Sequence, residues 1–168
     1  MKRIILLCAA LMTLAAVSGF AGGSQGNKLN RRMPVVTDQD LVIRIADITE
    51  NALFYPVDID GMRLEVIAVR APDGTIRTVF NTCLVCYSSG KGYYEQVDAL
   101  LVCQNCGARF RMSQLERRAE GMNPEPIFPE YKIETDTTIT ILKEYLRRFK
   151  GILTGTAAQS VEYIDHGH

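Results

Sequence analysis

Asn81–Arg111, NTCLVCYSSGKGYYEQVDALLVCQNCGARFR, decides how the chain is read, because it carries four of the five cysteines as two CxxC pairs. Cys83 and Cys86 form the first pair and Cys103 and Cys106 the second, with sixteen residues between them, a spacing that suits a two-knuckle metal site. A CxxC turn directs both sulfurs at one ion while the following backbone amides point at the sulfurs. Two such turns supply four thiolates. That donor set serves a tetrahedral zinc, a single iron or an iron-sulfur cluster, and ligand count alone does not choose among them. Cys83, Cys86, Cys103 and Cys106 are therefore the expected metal and cofactor ligands, and no catalytic residue is singled out.

Working outward, the stretch is bracketed by strand signals. Upstream, MRLEVIAVR and TIRTVF are separated by Pro72-Asp73-Gly74, a turn signal between two β-rich runs, which predicts a hairpin feeding into Cys83. LVIRIADI from Leu41 and ALFYPVDID from Ala52 alternate like earlier strands. Between the cysteine pairs the reading is a Gly-rich turn and one short strand, Ala99 to Val102. Both knuckles then end strands. After Cys106, Gly107 stands where a positive φ is needed, a short strand places Phe110 inward, and Glu116 to Glu120 reads as a solvated turn or short helix without function. Pro124, Pro126 and Pro129 restrict the residues before them, so that segment should cross the domain extended. Tyr131 to Ile141 is β-branched and alternating, one strand by this reading. LKEYLRRFKGIL, from Leu142 to Leu153, has Leu142, Tyr145, Leu146 and Phe149 at helical spacing and predicts a short amphipathic helix packed on the domain. The fold class expected is mostly β: a small antiparallel sheet or barrel domain with two CxxC metal-binding loops, Rieske-like or zinc-ribbon-like, and a short C-terminal helix.

The ends of the chain read differently. MKRIILLCAALMTLAAVSGFAGG has a basic start, an apolar run and then small residues, so residues 1–21 are read as a signal peptide or an N-terminal membrane anchor, with membrane association through residues 4–20. Cys8 follows Leu7, where a lipoprotein site requires a small residue, and is read as an apolar filler. Residues 22–38 are read as a flexible linker, 39–153 as the β-rich metal-binding domain and 154–168 as a disordered tail. The expected location is periplasmic or extracytoplasmic. There, close thiols oxidise to disulfides unless occupied, and metal is the usual occupant. A bridge within CxxC closes a very short loop and adds little stability.

Composition removes other classes. Lys plus Arg equals Asp plus Glu at 19 each among 168 residues, without a basic stripe interleaved with aromatics, so no nucleic-acid partner is expected. The only histidines, His166 and His168, lie in the tail, which leaves His-based catalysis without a candidate. No Walker loop and no GxGxxG motif is present. Asp58-Ile59-Asp60-Gly61 starts like a calcium loop but lacks the Glu such a loop requires, and is read as a hairpin turn. Tyr93 and Tyr94 stand near the first knuckle, where rings shield a metal site or pack the core.

The hairpin leading into Cys83 and Cys86, followed by LVCQNCGARFRMS and NPEPI, resembles the two-loop arrangement of Rieske-type domains, with cysteines at both histidine places. The chain is more similar still to the FtrD-like family of membrane iron-sulfur proteins. CxxC, Gly92-Tyr93, Val102 to Gly107 and Asn123 to Pro126 carry that similarity, over about Leu64 to Ile127. The resemblance implies an exported, non-catalytic electron-transfer protein holding an iron-sulfur cluster or iron, with redox partner proteins and a ferrous-iron permease complex in an iron-uptake or respiratory membrane system. The other reading is a zinc-ribbon-like domain whose redox-silent zinc only holds the loops while the protein binds a partner. A thiol-disulfide oxidoreductase is disfavoured because its CxxC normally opens a helix near a βαβ unit.

Overall fold

The computed structural model describes residues 30–117 and 123–154. The expected signal or anchor segment 1–21, Cys8, the start of the linker and the tail with His166 and His168 lie outside the described residues.

The central sheet is built from β4 (Leu53–Ile59), β5 (Met62–Arg70) and β6 (Ile76–Phe80), paired antiparallel in that order. Their alternation sorts side chains onto two faces. Leu53, Tyr55, Val57, Leu64, Val66 and Phe80 enter one core; Phe54, Ile67, Val69 and Val79 enter another. Both faces are thus covered. Asp60 and Gly61 join β4 to β5 with φ of 48° and 75°, the two positive dihedrals that a two-residue hairpin turn with the strands' own twist requires. Of the Asp58-to-Gly61 stretch, Asp58 and Ile59 end β4 and Asp60-Gly61 make the hairpin turn that its composition indicates.

The first core is closed by a second sheet of β10 (Lys132–Glu134), β11 (Thr138–Ile141) and β3 (Leu41–Arg44), and by α1 (Lys143–Thr154). Leu146 and Phe149 of α1 are buried, and the Phe149 ring stacks on Phe80 with centroids 3.7 Å apart. The helix packs on the domain through its apolar side. The second core is closed by a third sheet, β7 (Tyr94–Val97), β8 (Leu100–Cys103) and β9 (Arg109–Arg111), and this core contains Cys83, Cys86 and Cys103. The architecture is mostly β, with small antiparallel sheets and one short C-terminal helix.

Several local readings need correction. The linker expectation for 22–38 fails from Arg31 on: β1 (Arg31–Arg32) and β2 (Val36–Thr37) pair parallel with β4, and the Met33 amide donates to the Phe54 carbonyl at 2.7 Å. Backbone pairing along an open strand edge needs little apolar sequence. Tyr131 to Ile141 is a hairpin, because the Thr135 hydroxyl bonds the Thr138 hydroxyl and accepts from the Thr137 and Thr138 amides, which folds the middle into a turn. Strand β7 was hidden in the Gly-rich stretch. The proline-rich segment does run extended. Phe80 donates to the Glu125 carbonyl at 2.7 Å and Ile127 donates to Thr78 at 3.0 Å, so the segment lines the edge of β6.

Glu116 is not part of a solvated turn. Its carboxylate pairs with the Lys132 ammonium and accepts from the Thr78 amide at 2.9 Å, and both charged side chains are about 5% exposed or less. Burial pushes the Glu116 pKa up, against the lowering by Lys132 and the Thr78 amide. The pair bolts β6 to β10. Removing one partner leaves the other charge buried and alone, so Lys132→Ala should cost about 3–5 kcal/mol in urea unfolding. Arg147→Ala, which breaks the more exposed Asp60 pair, should cost far less in the same measurement, because water and salt screen that pair.

Candidate metal centre

The four cysteines arrive from two directions. Cys83 follows β6 by two residues and opens a 3-10 helix, Leu84–Ser89, in which the Cys86 amide donates to the Cys83 carbonyl at 3.0 Å. The first CxxC therefore does begin a helical turn, contrary to the expectation that both pairs end strands. Among the described residues, however, every β6–β9 connection leads to an antiparallel neighbour or another sheet, with no βαβ crossover. Cys103 ends β8, and Cys106 lies in the turn to β9, where the Gly107 amide donates to the Cys103 carbonyl at 3.0 Å. Gly107 has φ 73°, a value that side chains rarely tolerate.

All four sulfurs lie within 4.8 Å of one another, and all four cysteines are free thiols. Cys83, Cys86 and Cys103 are buried and Cys106 is exposed. The Ala108 amide bonds to Cys106 and holds its pKa down. For Cys86, a hydrogen bond from the Asn105 side chain lowers the pKa, but burial and the neighbouring thiols outweigh it and the net shift is upward. Burial pushes Cys103 up to about 11, opposed by the Cys106 and Asn105 amides. Close thiolates repel one another in a dry site, and a bound cation removes that repulsion.

Polar anchors hold the first loop against β5. Asn81, buried just before Thr82 and Cys83, donates through Nδ2 to Glu65 at 2.6 Å and accepts from the Tyr94 amide at 2.6 Å. Glu65 also takes the Arg32 guanidinium at 3.1 Å. The Cys83 amide donates to Gly92 at 2.8 Å and Gln104 donates to Tyr93 at 2.8 Å, so the segment before β7 is clamped between the two knuckles. A Cβ on Gly92 would stand 2.6 Å from the Cys86 backbone carbon and 2.7 Å from its oxygen. Only glycine allows that approach.

The structure brings together every cysteine singled out from sequence except Cys8, which lies outside the described residues. Of the tyrosine pair, Tyr93 is 37% exposed, whereas Tyr94 is fully buried in the cysteine-containing core, edge-on to Phe110 with centroids 5.9 Å apart. Its hydroxyl is hydrogen-bonded to Cys83, and burial and that neighbour push its pKa upward. Asn81, Glu65 and Gln104 were missed. Polar residues carry no periodic signal, and a β-hairpin separates Glu65 from Asn81 in the chain.

A family described as "Membrane iron-sulfur containing protein FtrD-like" matches residues 48–152, well over half of the chain. The chain belongs to this family. The matched region of the FtrD-like chain extends beyond the Leu64 to Ile127 stretch that carries the resemblance and takes in β4 and most of α1. No curated protein and no solved structure matches, so the Rieske-type likeness stays an expectation drawn from the two loops. The family's description names iron and sulfur, and the FtrD-like chain presents a four-cysteine group able to hold metal.

Two outcomes follow from this geometry. Gly92→Ala should force the β7 approach away from Cys86; cobalt titration should show at least tenfold weaker binding, while Gly74→Ala, which strains the β5–β6 turn at a φ of 82° but whose Cβ meets nothing within 4 Å, should leave binding unchanged. The second concerns pH. Cys86 and Cys103 are held protonated at neutrality, so a metal ion must displace at least two protons. Apparent affinity should therefore fall by at least about a hundredfold per unit as pH drops from 8 to 6, read by competition with a chromogenic chelator of known pH dependence.

Proposed function

We propose that this FtrD-like chain is an exported electron-transfer protein in which Cys83, Cys86, Cys103 and Cys106 hold a single iron ion, serving a bacterial ferrous-iron uptake system. The observation that carries the reading is the convergence of four sulfurs within 4.8 Å. Metal–thiolate bonds of about 2.3 Å in a tetrahedron place sulfurs about 3.8 Å apart. Two irons bridged by sulfide would instead separate sulfurs on different irons by more than about 5 Å if each bond keeps that length and tetrahedral angle. The sulfur spacing thus supports one ion; the family's description, which names an iron-sulfur protein, supports iron and makes a bridged cluster the second reading.

Bound there, iron supplies one-electron exchange, and the chain's residues do the rest. Cys83, Cys86 and Cys103 are buried in the second core while Cys106 is exposed, which supports approach of a partner from the Cys106 side. Leu84, Val85 and Tyr87 expose apolar side chains on the turn that carries Cys86, and Tyr93 does so just before β7, which supports docking of a redox partner protein. Among the described residues no helix is long and apolar enough to cross a membrane. Association with the membrane named in the family's description would run through residues 4–20, as a retained anchor or before signal removal, or through a permease complex.

Zinc fits the same geometry, since a closed set of four thiolates also describes a structural zinc site. Anaerobic purification separates the readings. One iron per chain, no inorganic sulfide and strong visible absorption are expected; one zinc and no colour would overturn the electron-transfer reading, and two or more irons with sulfide would overturn the single-ion assignment. Voltammetry between pH 6 and 9 should show a potential that does not move with pH, because no histidine is a ligand. Cys103→Ser should lose the metal together with its contribution to folding, on the order of 10 kcal/mol in structural zinc peptides, far beyond an ordinary point mutation.

A further inference from the structure

We propose that the Tyr94 hydroxyl donates a hydrogen bond to the Cys83 sulfur of the loaded centre and thereby sets the electron-donor strength of that ligand and the potential of the site. Tyr94 is a positioning and tuning residue, not a ligand. The inference rests on reading the four thiols as ligands of one metal ion; it does not require that the native ion be iron.

Three observations on this side chain converge. Tyr94 is completely buried and, among the described residues, is the largest side chain so enclosed. Packing alone would be served as well by phenylalanine, and a buried hydroxyl without a partner is costly. Second, the hydroxyl does have a partner. Among the described residues Tyr55 Oη and Arg77 Nε are the buried side-chain polar atoms left without one, whereas Tyr94 is bonded to Cys83 and lies close enough to Cys103 and Cys106 to feel their charge. Third, the residue is held in place from both ends. Its amide donates to Asn81 at 2.6 Å, two residues before Cys83, and on β7 it stands opposite Cys103 of β8. One residue therefore connects the first cysteine of one knuckle, through its hydroxyl, with the first cysteine of the other, its partner across β7 and β8.

The chemistry follows from the charge on sulfur. A metal-bound thiolate is an acceptor, and a bond from O–H to a charged acceptor in a dry site is about twice as strong as a neutral one. It withdraws electron density from sulfur, so Cys83 pushes less charge onto the metal. The bond strengthens when the centre gains an electron, which favours the reduced state. Outer hydrogen bonds of this kind tune metal sites generally.

The test uses Tyr94→Phe in the full chain, loaded with cobalt(II) as a probe independent of the native metal. The sulfur-to-cobalt charge-transfer bands should move to lower energy with full cobalt stoichiometry retained. In the iron-loaded protein the ratio of reduced to oxidised centre, read against a redox dye, should fall about tenfold, equivalent to 59 mV for one electron. Phe110→Leu, which alters the ring's neighbour but keeps the hydroxyl, should move neither. Unshifted bands in a fully loaded Tyr94→Phe protein overturn the proposal. Where that variant does not load, 3-fluorotyrosine placed at position 94 provides a stronger donor; the bands must then move to higher energy, and their failure to do so overturns it equally. Finding zinc as the native ion would end the electron-transfer reading while leaving the cobalt result standing.

Discussion

The constraint on which everything else depends is that β4, β5 and β6 are covered on both faces. Alternation along these strands divides their side chains between two cores, and each face must find a separate cover. The β10–β11–β3 sheet with α1 covers one; the cysteine-containing β7–β8–β9 unit covers the other. The four-cysteine group is for this reason not an appendage. Three of its sulfurs belong to the packing of the second core, and the chain enters the first knuckle straight from β6.

That placement sets the character of the site. Apolar neighbours keep Cys83, Cys86 and Cys103 dry, which makes isolated thiolates unfavourable and a cation welcome. The polar groups that remain are spent on geometry. Glu65 on β5 receives both Arg32 and Asn81, Asn81 receives the Tyr94 amide, and Gly92 passes flush against Cys86. The approach segment to β7 is thereby fixed against both knuckles, and with it the place where the four sulfurs meet. A rigid donor set of this kind reduces reorganisation when an electron is exchanged, and it also suits a structural ion.

The two halves are stabilised by different means. The first core relies on aromatic and aliphatic packing, with Phe149 stacked on Phe80 and Tyr145 on Tyr131. The second has fewer large side chains, and bound metal would supply the missing cohesion. Between them runs the buried Glu116–Lys132 pair, which ties β6 to β10 at the cost of desolvating two charges.

Much of this was legible in residue order. Paired CxxC spacing identified Cys83, Cys86, Cys103 and Cys106, turn chemistry located Pro72-Asp73-Gly74, alternation marked β3 to β6, and helical spacing found α1, because each signal is local or strictly periodic. The tertiary structure alone decided the rest. Arg31 and Val36 join a sheet because β4 offers an open edge; Glu116 is buried because Lys132, sixteen residues on, comes to meet it; Tyr94 rather than Tyr93 faces the sulfurs because pairing with β8 sets which side of β7 points inward. Sequence determined which atoms are available to hold a metal. Only folding could determine that they meet within 4.8 Å and which polar groups surround them, since those contacts join segments that share no local pattern.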